Sequence, residues 1–338
     1  MKKSDTMVPL EFSEYFSSLD EQGRQVIIDE LLSLSFSHSS SGIPDNVQEE
    51  HGIRCPDCQG RDIRANGKYK SVQRYYCKPC KKYFRETTGR LNFGLKKGAL
   101  LKTYLYHMLM GLSIKKCADF TGICVQTSFD WRHKIASAFE QAVPESFSGV
   151  VESDDIFFLE SGKGNRELPR KSRKRGSKAT KRGISDEQVA VVVTCDRTNN
   201  KELRVAKRGR ISKKDLDDVF KGKLDNIETL CTDTHRSYTA FAKSKQLDHQ
   251  KFIVSKGRRV KDKIYHVQNV NNTAMRLRKW MAPFNGVATK YLQNYLNWFM
   301  VLERIKNDNQ RLKSFAYYAF AGQEAWGLWR TGVNSVIL

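Results

Sequence analysis

The chain has 338 residues, 39% of them hydrophobic, with 59 basic and 37 acidic side chains and a net charge of +22. That length suits two or three domains with apolar cores, and no apolar run reaches the roughly 20 residues that span a bilayer. The opening residues lead into no apolar signal segment, so membrane and secreted classes are set aside for a cytoplasmic protein with a polyanionic partner.

The charge is unevenly spread. Residues 1–50 carry three basic and ten acidic side chains, net −7, which leaves +29 on the rest. Residues 1–36 are expected as an acidic helical lead-in, with Phe12, Phe16, Leu19, Ile27, Ile28, Leu31 and Leu32 at helical spacings. Residues 37–50 are a polar linker with turn chemistry. The surplus on the body favours nucleic acid over an acidic membrane, because no basic amphipathic helix or lipidation motif accompanies it.

Residues 51–90 contain Cys55-Pro-Asp-Cys58, eighteen intervening residues and Cys77-Lys-Pro-Cys80. Two such knuckles can set four thiolates around one Zn²⁺, with a β-hairpin between them. So small a module has little core of its own, so the metal is expected to supply much of its folding free energy. The basic residues around it, among them Lys68, Arg74, Lys81 and Arg85, suit phosphate contacts or simply a solvated face.

Residues 95–145 suggest a helix-turn-helix. Leu100, Leu101, Tyr104, Leu105, Met108 and Leu109 form a helical stripe; Ser113 is placed to cap a second helix and Gly122 to end it. The third helix offers Gln126, Thr127, Arg132 and Lys134 to a DNA groove, with Phe129, Ile135 and Phe139 facing inward. A three-helix packing unit without DNA contact is the alternative. Cys117 and Cys124 fit its core as small apolar residues.

Beyond Pro144 strands alternate with helices. The run Gly149-Val-Val-Glu-Ser-Asp-Asp-Ile-Phe-Phe-Leu-Glu160 reads as a buried strand with acids set into it. Carboxylates are costly to bury without compensation, so either this is an edge strand with its acids in water or it holds cations. A basic insertion at 163–184 includes Arg170, Lys171, Arg173, Lys174, Arg175, Lys178, Lys181 and Arg182 with no acid among 170–182. A run of that kind is expected to stay unpacked and to track DNA phosphates. Further strands are expected at 188–195, 202–206, 226–232 and 252–254, and helices at 215–220, 235–245, 268–281 and 290–304. Cys195 and Cys231 fall in strands as inert core, and residues 306–338 form a helical tail. The fold class is thus a multidomain α+β or α/β chain ending in a mixed sheet flanked by helices (149–305).

Asp154 on one strand and Asp233 at the end of a later one can converge, and Asn271 and Arg278 share a helical face. The stretches around Asp154, Cys-Thr-Asp233-Thr-His-Arg-Ser-Tyr and His266-Val-Gln-Asn-Val-Asn271 through Arg278-Lys-Trp-Met resemble bacterial insertion-sequence transposases. These are of the ribonuclease-H-like superfamily, in the group with an amino-terminal zinc ribbon and an Asp-Asp-Asn-Lys catalytic set. The resemblance implies a ribonuclease-H-like catalytic domain at 149–305 in which Asp154, Asp233 and Asn271 hold Mg²⁺ or Mn²⁺. Arg278 stands where the group has lysine, with Lys279 beside it, and either is a candidate for that role. It also implies binding of double-stranded DNA, both element ends and target, by a homo-oligomer associated with the nucleoid. The expected activity is metal-dependent nicking and 3′-hydroxyl strand transfer; a non-catalytic DNA-binding regulator and a simple metal-dependent nuclease are the alternatives. Two Mg²⁺ bring four positive charges and Asp154 and Asp233 offset two, so Glu152, on the same strand face, is a further candidate donor.

Overall fold

The structure is a computed structural model. It describes residues 53–321 except 70–71, 86–87, 89–90, 92, 94, 169, 172, 174–176 and 253–259, together with Ser18 and Asp20. Apart from Ser18 and Asp20, the expected lead-in and linker therefore lie outside the described residues, as do Lys174, Arg175 and the end of the tail.

Cys55 to Arg85 form a small ribbon. Strands β1 (Ile63–Tyr69) and β2 (Val72–Cys77) pair as an antiparallel hairpin, and β3 (Tyr83–Arg85) adds to β2. The two cysteine knuckles turn alike. The Cys55 amide donates to Gly60 O (3.0 Å) and the Cys77 amide to Lys82 O (2.9 Å). Gln59 and Lys81, each following the second cysteine, both take φ of 57°. The apolar core beneath is only Cys55, Cys77 and Phe84, with Ile53, Ile63, Tyr75 and Cys80 against it.

Helices α1 (Leu101–Leu109), α2 (Ile114–Thr121) and α3 (Val125–Ala138) come next. The Ser113 side chain caps α2 by accepting from the Lys116 amide, and Gly122, in the left-handed region at φ 69°, ends it. These helices share one apolar core with the sheet and with the helices near the carboxyl end. Tyr104, Leu105, Ile135 and Phe139 belong to the same buried cluster as Ile156 and Val191 of the sheet and Trp298 and Phe315 of later helices.

The sheet has five strands in the order β6-β5-β4-β7-β8. Strand β4 (Ser148–Leu159) is central, antiparallel to β5 (Gln188–Asp196), which is antiparallel to β6 (Lys201–Arg208). On its other side β4 runs parallel to β7 (Asn226–Thr232), and β7 runs parallel to β8 (Asp248–Lys251). Phe252 lies just past β8, and the rest of the strand expected at 252–254 lies outside the described residues. Val189 to Val193 are wholly buried, as a strand covered on both faces requires. Helices α4 (Lys213–Val219) and α5 (Arg236–Ser244) cover one face, packing Leu216, Tyr238 and Phe241 on Val151 and Val192. The hairpin β9 (Val260–Lys261) and β10 (Tyr265–His266) leads into α6 (Gln268–Met281), which covers the other face with α7 (Leu292–Arg304). Helix α8 (Arg311–Ala321) packs on α1 and α3.

An open sheet edge invites pairing with other chains, and here α7 closes it. Gln293 accepts from the Val205 amide (2.9 Å) and donates to Leu203 O (2.9 Å), satisfying the outer backbone of β6.

The burial of α3 corrects the groove-reading expectation for two residues. Every residue from Trp131 to Phe139 is buried. Arg132 is fully buried: Nη2 donates to Leu112 O (2.7 Å) and Cys117 Sγ (3.1 Å), and the guanidinium lies 4.8 Å from the Trp298 ring centre. Lys134 is buried too, because α7 and α8 cover the helix face that a groove would need. Only Gln126, exposed, and Thr127, half-buried, sit at the open start of the helix. Arg132→Ala should therefore destabilise the fold by roughly 3 kcal/mol, through the cavity and the unpaired groups it leaves. Thermal unfolding and oligonucleotide titration check this; a variant of unchanged Tm that loses DNA affinity would return Arg132 to a groove.

Candidate active site

The local register places the acids. Gly149 adopts φ of +62°, a conformation that favours glycine, and the β4–β7 pairing shifts there before resuming as Val151 opposite Leu230 and Glu152 opposite Cys231. Two residues beyond that last pair come Asp154, midway along β4, and Asp233, just past the end of β7. The Asp233 carboxylate accepts from the His235 amide (2.9 Å), which closes the turn from β7 into α5.

Strand alternation separates the neighbouring acids. Val150, Ile156 and Phe158 belong to the core on the α6 side, and Asp154 shares their parity. Val151 and Phe157 belong to the α4–α5 side, which is the parity of Asp155. Asp154 Oδ1 accepts from the Asp155 amide (2.8 Å). Burial, with the added charge of Asp155 and Asp233 and against the pull of Arg278, pushes Asp154 up to about 7. Burial and the charge of Asp233 push Asp155 up to about 6, opposed in part by Arg210. Three carboxylates thus feel one another where β7 ends beside the middle of β4, and Arg278 is the basic residue of α6 that acts on Asp154.

Asn271 lies in the first turn of α6, exposed, and Arg278 two turns on, also exposed. Arg278 borders a cleft of about 620 Å³ walled by the end of β4, the insertion and residues 281–292; Lys279 does not line it. The structure thus brings Asp154, Asp155, Asp233 and Arg278 near the point where β7 ends beside β4, and sets Asn271 on the same helix face as Arg278.

Glu152 is not part of that group. Its carboxylate is 1% exposed and fully engaged: it accepts from the Asn269 amide (2.8 Å), Asn269 Nδ2 (2.8 Å) and the Val270 amide (3.2 Å), is paired with Arg197, and lies 3.2 Å from His266 Nδ1. The sequence expectation of a cation donor is corrected: Glu152 binds the amino-terminal end of α6. Nothing local in the sequence signals a partner 117 residues away.

The insertion is also less free than its composition implies. Arg170 donates to Glu160 (2.7 Å), and Arg173 donates to the Glu160 carbonyl (2.5 Å) and lies 3.4 Å from Glu187. The Glu187 carboxylate further accepts from the Thr180 and Lys181 amides, which holds it down to about 2. Lys181 pairs with Asp186 (3.0 Å). Arg170 and Arg173 therefore fasten the insertion to the sheet, which corrects their reading as free phosphate contacts; Lys171, Lys178 and Arg182 are exposed.

In the ribbon, Cys55 Sγ lies 3.4 Å from Cys80 Sγ and Cys58 Sγ 3.5 Å from Cys77 Sγ, and all four sulfurs lie within 4.8 Å of one another. Tetrahedral ligation at about 2.3 Å places sulfurs roughly 3.8 Å apart, so the set is compatible with a zinc ribbon. Among the described residues this is the one group of three or more His, Cys, Asp or Glu so closely gathered. The ribbon's outer face stacks Arg74 over Tyr83 and Arg85 over Tyr69, while Lys78 and Lys82 pair with Asp62 and Asp57. No helix among the described residues is long and apolar enough to cross a membrane.

Residues 146–300 match the family model of the ISXO2-like transposase domain. An uncharacterized protein in transposable element ISH50 of Halobacterium salinarum is 25% identical over 264 residues, covering 77% of this chain and 88% of its own length. A crystal structure of a pre-cleavage Mos1 transpososome aligns over 64% of this chain and 78% of that chain, at 10% identity and a TM-score of 0.18, too low to decide anything. The segment that carries Asp154, Asp233 and α6 is thus similar to an ISXO2-like transposase domain.

Proposed function

We propose that the chain is a DNA transposase of the Asp-Asp-Asn type, with Arg278 in place of lysine, that nicks element ends and joins their 3′-hydroxyls to target DNA. The observation that carries this is the register of β4 on β7, which levels Asp154 with Asp233 beneath a helix bearing Asn271 and Arg278. A mixed sheet of three antiparallel strands extended by two parallel ones suits a ribonuclease-H-like domain.

The donor set fits a divalent cation such as Mg²⁺ or Mn²⁺: the β4–β7 register brings Asp154 beside Asp233, and the Asp154 carboxylate, buried and next to the charge of Asp233, is one whose charge a cation would compensate. Asp154 and Asp233 would hold it, with Asn271 offering a neutral carbonyl oxygen. A cation bound there would stabilise the charge that develops on the transferring phosphate. Arg278 supplies a fixed positive charge from the helix side and can grip a phosphate in a bidentate fork. Asp155, on the other sheet face, acts on the site through its charge alone. The cysteine ribbon and the start of α3 (Gln126, Thr127), with Lys171, Lys178 and Arg182, form the DNA-holding surface, and bringing two ends together calls for at least a dimer on DNA.

The test is a precut duplex of the element's end with a free 3′-hydroxyl, incubated with plasmid and Mg²⁺. Joined product is expected. Hydrolysis without joining supports a nuclease instead, and binding without either supports a regulator.

A further inference from the structure

We propose that Glu152 is a positioning residue that fixes α6, and with it Asn271 and Arg278, at a set distance from Asp154; this rests on the proposed cation site at Asp154 and Asp233. Glu152 stands two residues before Asp154 on β4. The groups it binds on α6, the amides of Asn269 and Val270 and the side chain of Asn269, stand one and two residues before Asn271. One carboxylate therefore ties together the two elements that must converge. The interaction suits its place: unpaired amides at a helix start carry partial positive charge and favour an anion. Arg197, from the turn after β5, completes the arrangement by pairing with Glu152 and donating to Ile264 O (2.8 Å), so the approach to α6 is held by the same node.

A buried carboxylate is an expensive way to tie a helix to a strand where an apolar contact would pack equally well. What it adds is direction. Hydrogen bonds to successive amides fix both the rotation and the height of the helix start, whereas the packing of Val270, Ala274 and Leu277 on the sheet resists sliding less strictly. Asn271 lies within the same turn, so an error at Asn269 is transmitted to it undiminished.

The test uses the full-length protein, with Mn²⁺ alone as the probe. Glu152→Gln keeps the shape but presents an amide that cannot accept at both oxygens; Asn269→Ala, at an exposed position, removes one bond and leaves the fold intact. Mn²⁺ affinity by electron paramagnetic resonance, and hydrogen exchange of the amides at the start of α6, are read for wild type and both variants. The expected result is a graded loss: roughly 3-fold weaker Mn²⁺ binding in Asn269→Ala and at least about 10-fold in Glu152→Gln, with faster exchange at Val270 and Asn271. In joining assays Glu152→Gln is expected to lose about 10²-fold in turnover with DNA affinity held within about 2-fold, as a misplacement near 1 Å can produce. Should Glu152→Gln fail to fold, the Asn269→Ala arm decides alone. Unchanged Mn²⁺ affinity in folded variants, beside a wild type that binds, overturns the role of Glu152 alone. A wild type whose Mn²⁺ binding is absent, or indifferent to Asp154→Ala, overturns the cation site and any positioning role with it.

Discussion

Asp154→Ala and Asp233→Ala are each expected to lower strand joining at least ~10³-fold, about 4 kcal/mol of transition-state stabilisation, while changing end-DNA affinity little. The two residues are partners in one arrangement, so the double variant should lose scarcely more than either single one. Asp155→Ala provides the contrast. It lies on the α4–α5 side of the strand and should cost far less, on the order of 10-fold, through its charge alone. These substitutions should not unfold the protein. Asp154 and Asp155 are carboxylates pushed up by burial and like charge, so removing either relieves repulsion, and the thermal midpoint is expected to stay or rise. Joining assays, filter binding and thermal melts on the same preparations separate these effects. Equal loss for Asp154→Ala and Asp155→Ala would contradict the division of the strand into two faces.

The second large effect concerns the ribbon. Its apolar core is three buried residues, two of them cysteines, whereas structural Zn²⁺ in comparable small modules contributes on the order of 10 kcal/mol or more. Cys77→Ser, or extraction with a strong chelator, should therefore unfold residues 53–85 while leaving the shared core of helices and sheet standing. Metal analysis should fall from one zinc per chain to nearly none. End-DNA affinity should drop by about 10-fold or more, since the ordered basic face is lost. The main melting transition should shift only slightly, because the ribbon's core and the main core are separate clusters. A full-stoichiometry zinc site that survives Cys77→Ser would rule out the four-sulfur assignment.

Elements with strong local signals were legible from the sequence. The helix at 268–281 and the strand at 226–232 agree with the structure to the residue, because periodic apolar spacing and turn residues bracket both. The cysteine pairs announced themselves through spacing. Long-range coverage was not legible. An amphipathic stripe on α3 looks alike whether its outer face meets DNA or meets α7 and α8 from the far end of the chain. Here it meets the helices, so Arg132 and Lys134 became core. The insertion misled for a related reason: residues 170–182 contain no acid, but Glu160 and Glu187 flank the run and pull Arg170 and Arg173 down. Glu152 shows the limit most plainly. Parity along β4 groups it with Asp154, and only the fold reveals that the start of α6 has already claimed it. The preference for Asp154 over Asp155 rests on motif position in the sequence, and the structure adds that the two acids alternate between the faces of β4.

If β4, β7 and α6 build one cation site for phosphate chemistry, crystals soaked in Mn²⁺, with diffraction recorded at the manganese edge, test it most directly. An anomalous peak at roughly 2.1 Å from carboxylate oxygens of both Asp154 and Asp233, on the side of the sheet that α6 covers, is the predicted result. A peak bound instead through Glu152, or no peak at Asp154 and Asp233 at a concentration that supports DNA joining in solution, would contradict it.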